Sequence, residues 1–422
     1  MSESMVTTPV LVRRPRLRPT AKARSSAQTS ERSLVRRIEI IWGLLFLNVL
    51  TFTPHVSVLP IPSAVGKGIT QGALQLALVL ALSVNRKLLI RPSILLCIIS
   101  LLPLEAVVTL ITNPHFIGTA YRTVRYIEFV MTLWLLSPYW GRRDMLLVRC
   151  HLKVMAYVLA SVALGLLIAP GRAMAGGRLG GAIWPAPATQ VAHYAAVTIG
   201  LVIVLWLCGQ RRGRTTLYNI IPALIILLLT QTRTALLGLV VGLAVASLSM
   251  IIVNPRVRKV FITTAIIAVT VGVTLSGAII KFLSRGENSK ELTGLTGRTN
   301  FWAALETAPR NKFEEIFGFG LSNGMFDGHA VDSNWMLSYQ DQGIFGIVVC
   351  ALIAAFLLAK SLLESRPLQR SIGLFLTVYC LAASFTEVGF TNASPYMLDI
   401  TVAASVLVSP IIGQVSSTRP SR

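Results

Sequence analysis

The stretch GFGLSNGMFDGHAVDSNWMLSYQDQGIFG, residues 318–346, decides the fold because the one long polar excursion of the chain ends there and an apolar helix begins. Glycine-rich turns lead to the polar side chains His329, Asp332 and Asn334. Trp335 and the residues after it then open a new hydrophobic segment. Polar side chains on a loop beside a rigid scaffold are frequent binding and reaction sites. We therefore expect the functional residues to gather around this point.

The rest of the chain has the composition of a membrane protein. Of its 422 residues, 54% are hydrophobic and 13% are charged, whereas soluble domains carry about 25% charged residues. The apolar residues form runs of about 17–25, the length that crosses a bilayer as a helix. We expect an all-α polytopic membrane protein with about twelve transmembrane helices in one bundle. The predicted spans are 39–59, 68–84, 93–112, 119–138, 149–169, 189–208, 216–231, 234–253, 259–280, 336–359, 370–390 and 397–413.

The distribution of Lys and Arg predicts the orientation of this bundle. Every second connector is short and basic, and such connectors stay on the cytoplasmic side of a membrane. Both termini fall on the same side as these connectors, which fits an even number of spans. The formal net charge of +22 is therefore explained by topology, and we expect no nucleic acid partner. The five cysteines lack metal-ligand spacing, so a disulfide framework is not expected.

The sequence divides into a bundle and three flanking or inserted parts. Residues 1–37 have no apolar periodicity and predict a disordered, basic cytoplasmic tail. The bundle covers residues 38–413 and includes a large extracytoplasmic loop, 282–335, and a cytoplasmic C-terminal tail follows at 414–422. Within the loop, residues 296–309 and 311–319 predict two short amphipathic helices. The other outward connectors are 171–190, 231–235 and 386–395.

Several arginines lie on the outward side, against the usual charge bias. Arg172, Arg178, Arg233 and Arg298 all fall there by this topology. Arg233 stands between two closely spaced spans, where a buried charge is costly unless an anion compensates it. Guanidinium groups bind phosphate oxygens bidentately, so converging arginines predict a pyrophosphate site. The alternative is that each arginine extends to the lipid headgroups.

A second group of charges lies on the third and fourth spans. Arg122, Arg125 and Glu128 are spaced along one face of the fourth span, and Glu105 lies inside the third. We expect an ion pair of Arg125 with Glu105 or with Glu128, since charges buried in membranes must be paired.

Three residues are candidates for the base that takes a proton from a sugar hydroxyl. An imidazole can take a proton near neutral pH, which makes His329 one candidate, and Asp332 and Glu387 are rival bases if they approach the same cavity. Asn334 and Trp335 are candidates for binding the acceptor. No motif for a metal, a nucleotide or another cofactor is evident.

The small residues Gly238, Gly242 and Ala246, spaced four apart, predict close packing of one helix on another.

Four segments resemble the O-antigen ligase/O-antigen polymerase superfamily of bacterial membrane proteins. TQTRTALLGLVVGL, around Arg233, is similar to the family's Arg-Thr/Ser-Ala triplet at the start of a Leu/Gly-rich helix. GRLGGAIWPAPATQVAHYAA resembles its Arg/Gly–Pro segment, and LTGRTNFW its Gly-Arg-x-x-x-Trp segment. VDSNWMLSYQDQGIFGIV is similar to the segment that re-enters the membrane. The four occur in the family's order, and the resemblance covers nearly the whole chain after the tail.

The resemblance implies a GT-C-type fold in the bacterial inner membrane, with both termini cytoplasmic. It implies metal-independent, inverting transfer of a glycan from an undecaprenyl-pyrophosphate carrier at the outer leaflet. Arg178, Arg233 and Arg298 would hold the pyrophosphate, and His329 would activate the acceptor hydroxyl. Ligases of this superfamily commonly place their histidine next to an Asn, whereas this chain has Ser333 before Asn334. That difference favours a polymerase.

The hypothesis is therefore a polymerase that joins undecaprenyl-pyrophosphate-linked units into a surface polysaccharide. Its partners would be the lipid-linked donor, the glycan acceptor and membrane lipids, with a chain-length regulator as a candidate protein partner. One alternative is a ligase that transfers finished glycan to a lipid, protein or wall acceptor. A second is a transporter or flippase of lipid-linked sugar, which predicts charges near the bilayer midplane. Apart from Glu105, we expect the midplane to be poor in such charges.

Overall fold

A computed structural model of the chain describes residues 21–52, 58, 60–111, 116–142, 144–277, 298–322 and 324–409, with the side chains of 21–30 and 298–301 outside that description. The described part is almost entirely helical. Its α-helices, numbered α1 to α15 in chain order, are Ala21–Val49, Ser63–Val84, Ile94–Thr109, Phe116–Leu136, Leu146–Ile168, Pro170–Ala173, Ala188–Leu207, Gly213–Thr230, Arg233–Leu248, Pro255–Thr274, Arg298–Thr307, Lys312–Phe317, Asn334–Leu362, Pro367–Ala383 and Pro395–Leu407.

Each predicted span coincides with one of these helices, and the two short helices predicted in the large loop are α11 and α12. Six helices (α2, α5, α7, α8, α10 and α13) are long and apolar enough to cross a membrane. The all-α membrane class is therefore supported. Helix α1 already begins at Ala21, within the segment for which the sequence predicts a disordered tail to residue 37. The remainder of that tail, residues 1–20, and the C-terminal tail at 414–422 lie outside the described residues.

The connectors sort into two ends of the bundle, as their charge predicts. At one end, here called the basic end, Arg91 donates to the carbonyl of Trp140 at 2.9 Å and Arg370 to that of Ser249 at 2.8 Å. The other end, here called the loop end, carries the glycine-rich connectors and the remnant of the large loop. There a hydrogen bond of 3.0 Å joins the backbone of Leu179 to that of Leu229.

Burial separates the central helices from the peripheral ones. In α7, 89% of the residues in its apolar 18-residue stretch are buried inside the protein, whereas in α10 only 6% are. Both are strongly apolar, so α7 is covered by protein and α10 presents its apolar surface outward, as a lipid-facing helix does. The small-residue face on α9 packs on α14, because a Cβ on Gly238 would lie 2.9 Å from the Tyr379 ring and one on Gly242 3.1 Å from Phe375. This confirms its predicted role in helix packing.

Two glycines let the large loop dock on α13. Gly343 interrupts α13 with a φ of 61°, and a Cβ there would lie 2.5 Å from the backbone of Ile316 in α12. Gly318, with a φ of 75°, would likewise meet the backbone of Asp341. Since L-residues avoid positive φ and neither position has room for a Cβ, only glycine fits at both. The stretch quoted at the outset is thus held against the bundle by backbone approach.

The loop then turns through a short hairpin before α13 begins. Strand β1 (Met325–Phe326) pairs antiparallel with β2 (His329–Ala330), with Phe326 opposite His329. The connector 384–394 leads from the end of α14 to α15 and lies beside the start of α13, where the backbone amide of Asn334 donates to the carbonyl of Ser384 at 3.0 Å. Helix α15 begins with Ser394, which accepts a hydrogen bond from the Met397 amide at 3.1 Å.

Candidate functional site

Arg178 is fixed at the loop end by the turn between α8 and α9. Its Nε donates to the carbonyl of Thr230 at 3.1 Å, and its Nη2 donates to Oγ1 of Thr232 at 3.0 Å. Both acceptors are neutral, so the guanidinium keeps its full positive charge. The side chain is half-buried, and the same turn continues directly into Arg233. Two arginines predicted to bind one anion are therefore neighbours.

Arg233 opens α9 and is also half-buried. A helix N-terminus adds the partial positive charge of its backbone dipole to that of the side chain. The next residue, Thr234, shares a hydrogen bond of 2.6 Å with Thr386, which precedes Glu387. This contact brings the candidate base Glu387 to the side of Arg233. We call Arg178, Arg233 and Glu387 the arginine cluster.

Asp332 lies between β2 and α13 and is half-buried, whereas His329 is exposed on β2. A small apolar cluster places this segment against both neighbours, since Val331 packs with Leu305 of α11 and with Val388. Val331 precedes Asp332 and Val388 follows Glu387. The two carboxylates proposed as bases are thus attached to adjoining backbone segments at the loop end.

Asn334 fixes a connector at the loop end. It is fully buried, and its Oδ1 accepts the backbone N–H of Gly389 at 3.0 Å and that of Phe390 at 2.7 Å. Its Nδ2 lies 3.4 Å from Sγ of Cys350. An amide engaged in this way holds the connector 384–394 in place, and the acceptor-binding role of Asn334 stays a prediction. Trp335 is half-buried, with its indole N–H on Ser384.

Arg172 and Arg298 are less closely tied to the cluster. Arg172 is exposed, and its Nη1 lies 3.3 Å from the carbonyl of Val58. Arg298 begins α11, but its side chain lies outside the described residues.

The predicted ion pair of Arg125 is not found among the described residues. Arg125 stacks on the ring of Tyr121, with 5.7 Å from its Cζ to the ring centroid. Glu128 instead accepts a hydrogen bond of 3.0 Å from Gln75 of α2. Glu105 is buried, and it meets no arginine there. Arg125 and Glu128 do lie along one helix face, but Arg125 contacts Tyr121, four residues earlier on the same helix, instead of a carboxylate.

Two other arginines anchor the large loop. Arg122 of α4 donates to the carbonyl of Leu321 at 3.1 Å. Arg310 donates to the carbonyl of Tyr339 at 2.8 Å and stacks on the rings of Tyr339 and Phe319. Burial lowers the pKa of Arg310 from its ordinary value. These contacts are structural, since they join the large loop to α4 and to the start of α13.

A cavity of about 300 Å³ lies at the basic end, whereas the arginine cluster lies at the loop end. Arg142 and Arg366 line it together with Tyr139. Both arginines already form ion pairs, Arg142 with Asp144 and Arg366 with Glu364. The cavity therefore offers little uncompensated charge to an anion, and the loop end remains the better candidate.

A second polar cluster, which the sequence did not predict, lies in the centre of the bundle. Asp399 of α15 is fully buried, with its Oδ1 2.7 Å from Nε2 of His151 and its Oδ2 3.0 Å from Nε2 of His193. Nδ1 of His193 lies 3.2 Å from the hydroxyl of Tyr379. We call His151, His193, Tyr379 and Asp399 the histidine–aspartate cluster. It contradicts the expectation that Glu105 is the only charge deep in the bundle.

One signal in the sequence marks this cluster. Asp399 is the only acidic residue in the apolar helix PYMLDITVAASVL, and a buried charge must have a partner. His193 of α7 also stands without charged neighbours in its helix. His151 of α5 instead lies between Arg149 and Lys153. A pairing of Asp399 with His193 was the simplest solution.

In the described part of the chain, no three His, Cys, Asp or Glu side chains are arranged to hold a metal ion. No protein-family model matches the chain. A search of curated proteins likewise yields no significant match.

Proposed function

We propose that the protein polymerises undecaprenyl-pyrophosphate-linked oligosaccharide units into a surface polysaccharide, with the loop end on the outer side of the bacterial inner membrane. The observation that carries the proposal is the fixation of Arg178 beside Arg233 through Thr230 and Thr232. Two guanidinium groups on one rigid turn match the two phosphates of a carrier-linked donor. The four sequence motifs that resemble the superfamily, together with the all-helical architecture, point to the same chemistry.

The chemistry needs only a few groups. A hydroxyl oxygen of the acceptor attacks the anomeric carbon of the donor glycan, and the bond from that carbon to the pyrophosphate oxygen breaks. The electron pair leaves with the pyrophosphate, where Arg178 and Arg233 stabilise the developing charge. The hydroxyl proton passes to a carboxylate, for which Glu387 is the first candidate and Asp332 the second. Direct displacement inverts the anomeric configuration.

Glu387 is preferred over His329 because of where each lies. Glu387 is half-buried and joined to the arginine turn through Thr386 and Thr234. His329 is exposed on the hairpin. A general base must come within hydrogen-bond reach of the proton that it removes.

A transporter of lipid-linked sugar is the second candidate, because the buried Asp399 is a midplane charge of the kind that such proteins use. The surroundings of His151 count against it. Its ring packs on Trp42 and Phe46, and its Nδ1 has no hydrogen-bond partner among the described residues. A proton path that is closed toward the basic end does not fit coupled transport.

The decisive experiment compares surface polysaccharide and lipid-linked intermediates in cells with wild type, Arg233→Ala and a deletion. A polymerase predicts loss of long glycan and accumulation of single lipid-linked units in both altered strains. Accumulation of long lipid-linked chains would instead identify a ligase. If Arg233→Ala matches wild type at equal protein level, the pyrophosphate-binding role of this arginine is refuted.

A further inference from the structure

The histidine–aspartate cluster lies directly beneath the connector that carries Glu387. Tyr396 of α15 stacks on His193, with ring centroids 4.2 Å apart. The connector covers Tyr396 from the other side, since a Cβ on Gly389 would lie 2.6 Å from its ring.

The same connector also contacts α9, because Thr386, which precedes Glu387, is hydrogen-bonded to Thr234. One turn further along α9, Gly238 lies against the ring of Tyr379. One connector therefore separates the proposed reaction site from a buried set of proton-binding groups.

The contacts within the cluster differ in kind. Nε2 of His151 is hydrogen-bonded to Oδ1 of Asp399, whereas Nε2 of His193 lies 3.0 Å from Oδ2 at ion-pair distance without the geometry of a hydrogen bond. Nδ1 of His193 shares a hydrogen bond of 3.2 Å with the Tyr379 hydroxyl. A carboxylate beside Nε2 favours the tautomer that carries its hydrogen on Nε2, and in that tautomer Nδ1 accepts from Tyr379. At the far side, His151 ends among aromatic rings. The cluster is thus open toward Tyr379 and closed beyond His151.

The ionisable groups around the cluster are few. Besides its own members, Tyr194 of α7, Tyr396 of α15 and Cys380 of α14 face it, with Cys380 Sγ 3.8 Å from Asp399. Helix α1 contributes the rings of Trp42 and Phe46. In the described part of the chain, the ion-pair partners of Asp399 are the two histidines. The Asp399 carboxylate lies 2.7 Å from a nitrogen of His151 and 3.0 Å from one of His193, so it can stabilise a positive charge on either ring.

We propose that Tyr379 and His193 relay the proton of the acceptor hydroxyl from Glu387 into the core, where Asp399 and His151 stabilise it. This inference rests on the proposed function and names the destination of its proton. Glu387, protonated by the acceptor, gives its proton to the Tyr379 oxygen, directly or through one water. Tyr379 gives its own hydroxyl proton to Nδ1 of His193. The step regenerates the Glu387 carboxylate and leaves an imidazolium at His193, paired with Asp399. The proton then returns through Tyr379 to Glu387, which releases it to water at the loop end before the next sugar unit is added.

This arrangement solves a problem of the proposed reaction. The acceptor proton needs a place to go while the new glycosidic bond forms and the pyrophosphate leaves. Its transfer to His193 restores the Glu387 carboxylate within the same turnover. Tyr379 and His193 do not touch substrate, so their effect is on proton transfer and not on binding.

The matched pair Tyr379→Phe and Tyr194→Phe tests the relay. Both tyrosines are fully buried and lie 5.4 Å from His193 by ring centroids, but in the described structure only the hydroxyl of Tyr379 meets an imidazole nitrogen. The full-length variants are reconstituted in vesicles with undecaprenyl-pyrophosphate-linked oligosaccharide. Chain extension is measured across pH and in heavy water. Equal thermal unfolding of both variants establishes that each is folded.

The relay predicts that Tyr379→Phe lowers kcat by about 100-fold with unchanged KM, at the lower end of the range of general acid–base effects. It also predicts a changed pH profile and solvent isotope effect, while Tyr194→Phe behaves as wild type. Equal kcat values and pH profiles in the two variants would overturn the relay. Chain extension by the wild-type protein in the same experiment would still support the polymerase activity. Absence of any extension by wild type would overturn both.

Discussion

The arginine cluster and the histidine–aspartate cluster are both polar groups in an apolar bundle, yet they are built in opposite ways. Arg178 and Arg233 are half-buried on one turn, and Arg178 binds only neutral acceptors within the described structure. Asp399 is fully buried, and its charge is shared between two imidazoles from other helices. Arg178 therefore keeps its charge available for an outside anion, whereas the histidine–aspartate cluster pairs its charge internally.

The difference indicates different functions and different costs. A charge that stays available contributes little to stability, because it is designed to meet a ligand. A charge paired in the core costs much when one partner is lost, since the remaining groups stay buried without compensation. Removing a residue from the first cluster should therefore abolish activity in a folded protein. Removing one from the second should also weaken the fold.

The largest effect on stability is expected for Asp399→Ala. It leaves His151 and His193 buried without their acceptor, and loss of one partner of a buried pair costs about 3–5 kcal/mol. Thermal unfolding of the purified protein in detergent measures this. Glu306→Ala, on the exposed face of α11, is the control and should leave the transition unchanged. Equal unfolding temperatures would mean that the cluster is not held together by its charge.

The largest effect on activity within the arginine set is expected for Arg178→Ala. Loss of one fixed donor to a developing negative charge lowers turnover by about 10²- to 10³-fold. Arg172→Ala is the matched comparison, because Arg172 is exposed and away from the α8–α9 turn, and we expect a change of less than about 3-fold. Polymer yield in cells with equal protein levels measures both. A larger loss of polymer yield in Arg172→Ala than in Arg178→Ala would indicate that the anion binds near Arg172 and Val58 instead.

Asn334→Ala should loosen the connector 384–394 without affecting the basic end. It leaves the buried N–H groups of Gly389 and Phe390 without an acceptor, at a cost of about 1–3 kcal/mol. In a Cys97→Ser background, a cysteine at Asn392 should then react about 10-fold faster with a membrane-impermeant maleimide.

The control for that experiment is Asn254→Ala, which removes a cap with a similar role at the start of α10. Asn254 lies at the basic end, so its loss should not change labelling at residue 392. Unchanged labelling in Asn334→Ala would show that other contacts hold the connector.

How far the sequence predicts this molecule depends on the range of the interaction. Each apolar run of the sequence overlaps a helix in the described residues, and six of these helices are long and apolar enough to cross a membrane, because span length and apolar composition are local properties. The small-residue face of α9 was also predictable, since residues four apart share one face. The Arg125 ion pair was not, because the rotation of α4 against α3 is set by packing along the whole helix. The histidine–aspartate cluster joins residues up to 248 positions apart, so only the isolation of Asp399 in its helix could have signalled it.

The smallest effect on stability is expected for two glycine substitutions, one in the centre and one at the edge of the bundle. Gly242→Ala places a methyl group 3.1 Å from Phe375, and overpacking of this kind costs about 1–3 kcal/mol. Gly272→Ala in α10 meets nothing within 4 Å and should stabilise by about 0.5–1 kcal/mol, because alanine loses less backbone entropy than glycine. Thermal unfolding of the two variants should therefore shift in opposite directions. If both variants are stabilised, α9 and α14 pack less closely than described. Tyr379 contacts Gly238, one turn from Gly242, so its ring would then lack the support that aligns it with His193.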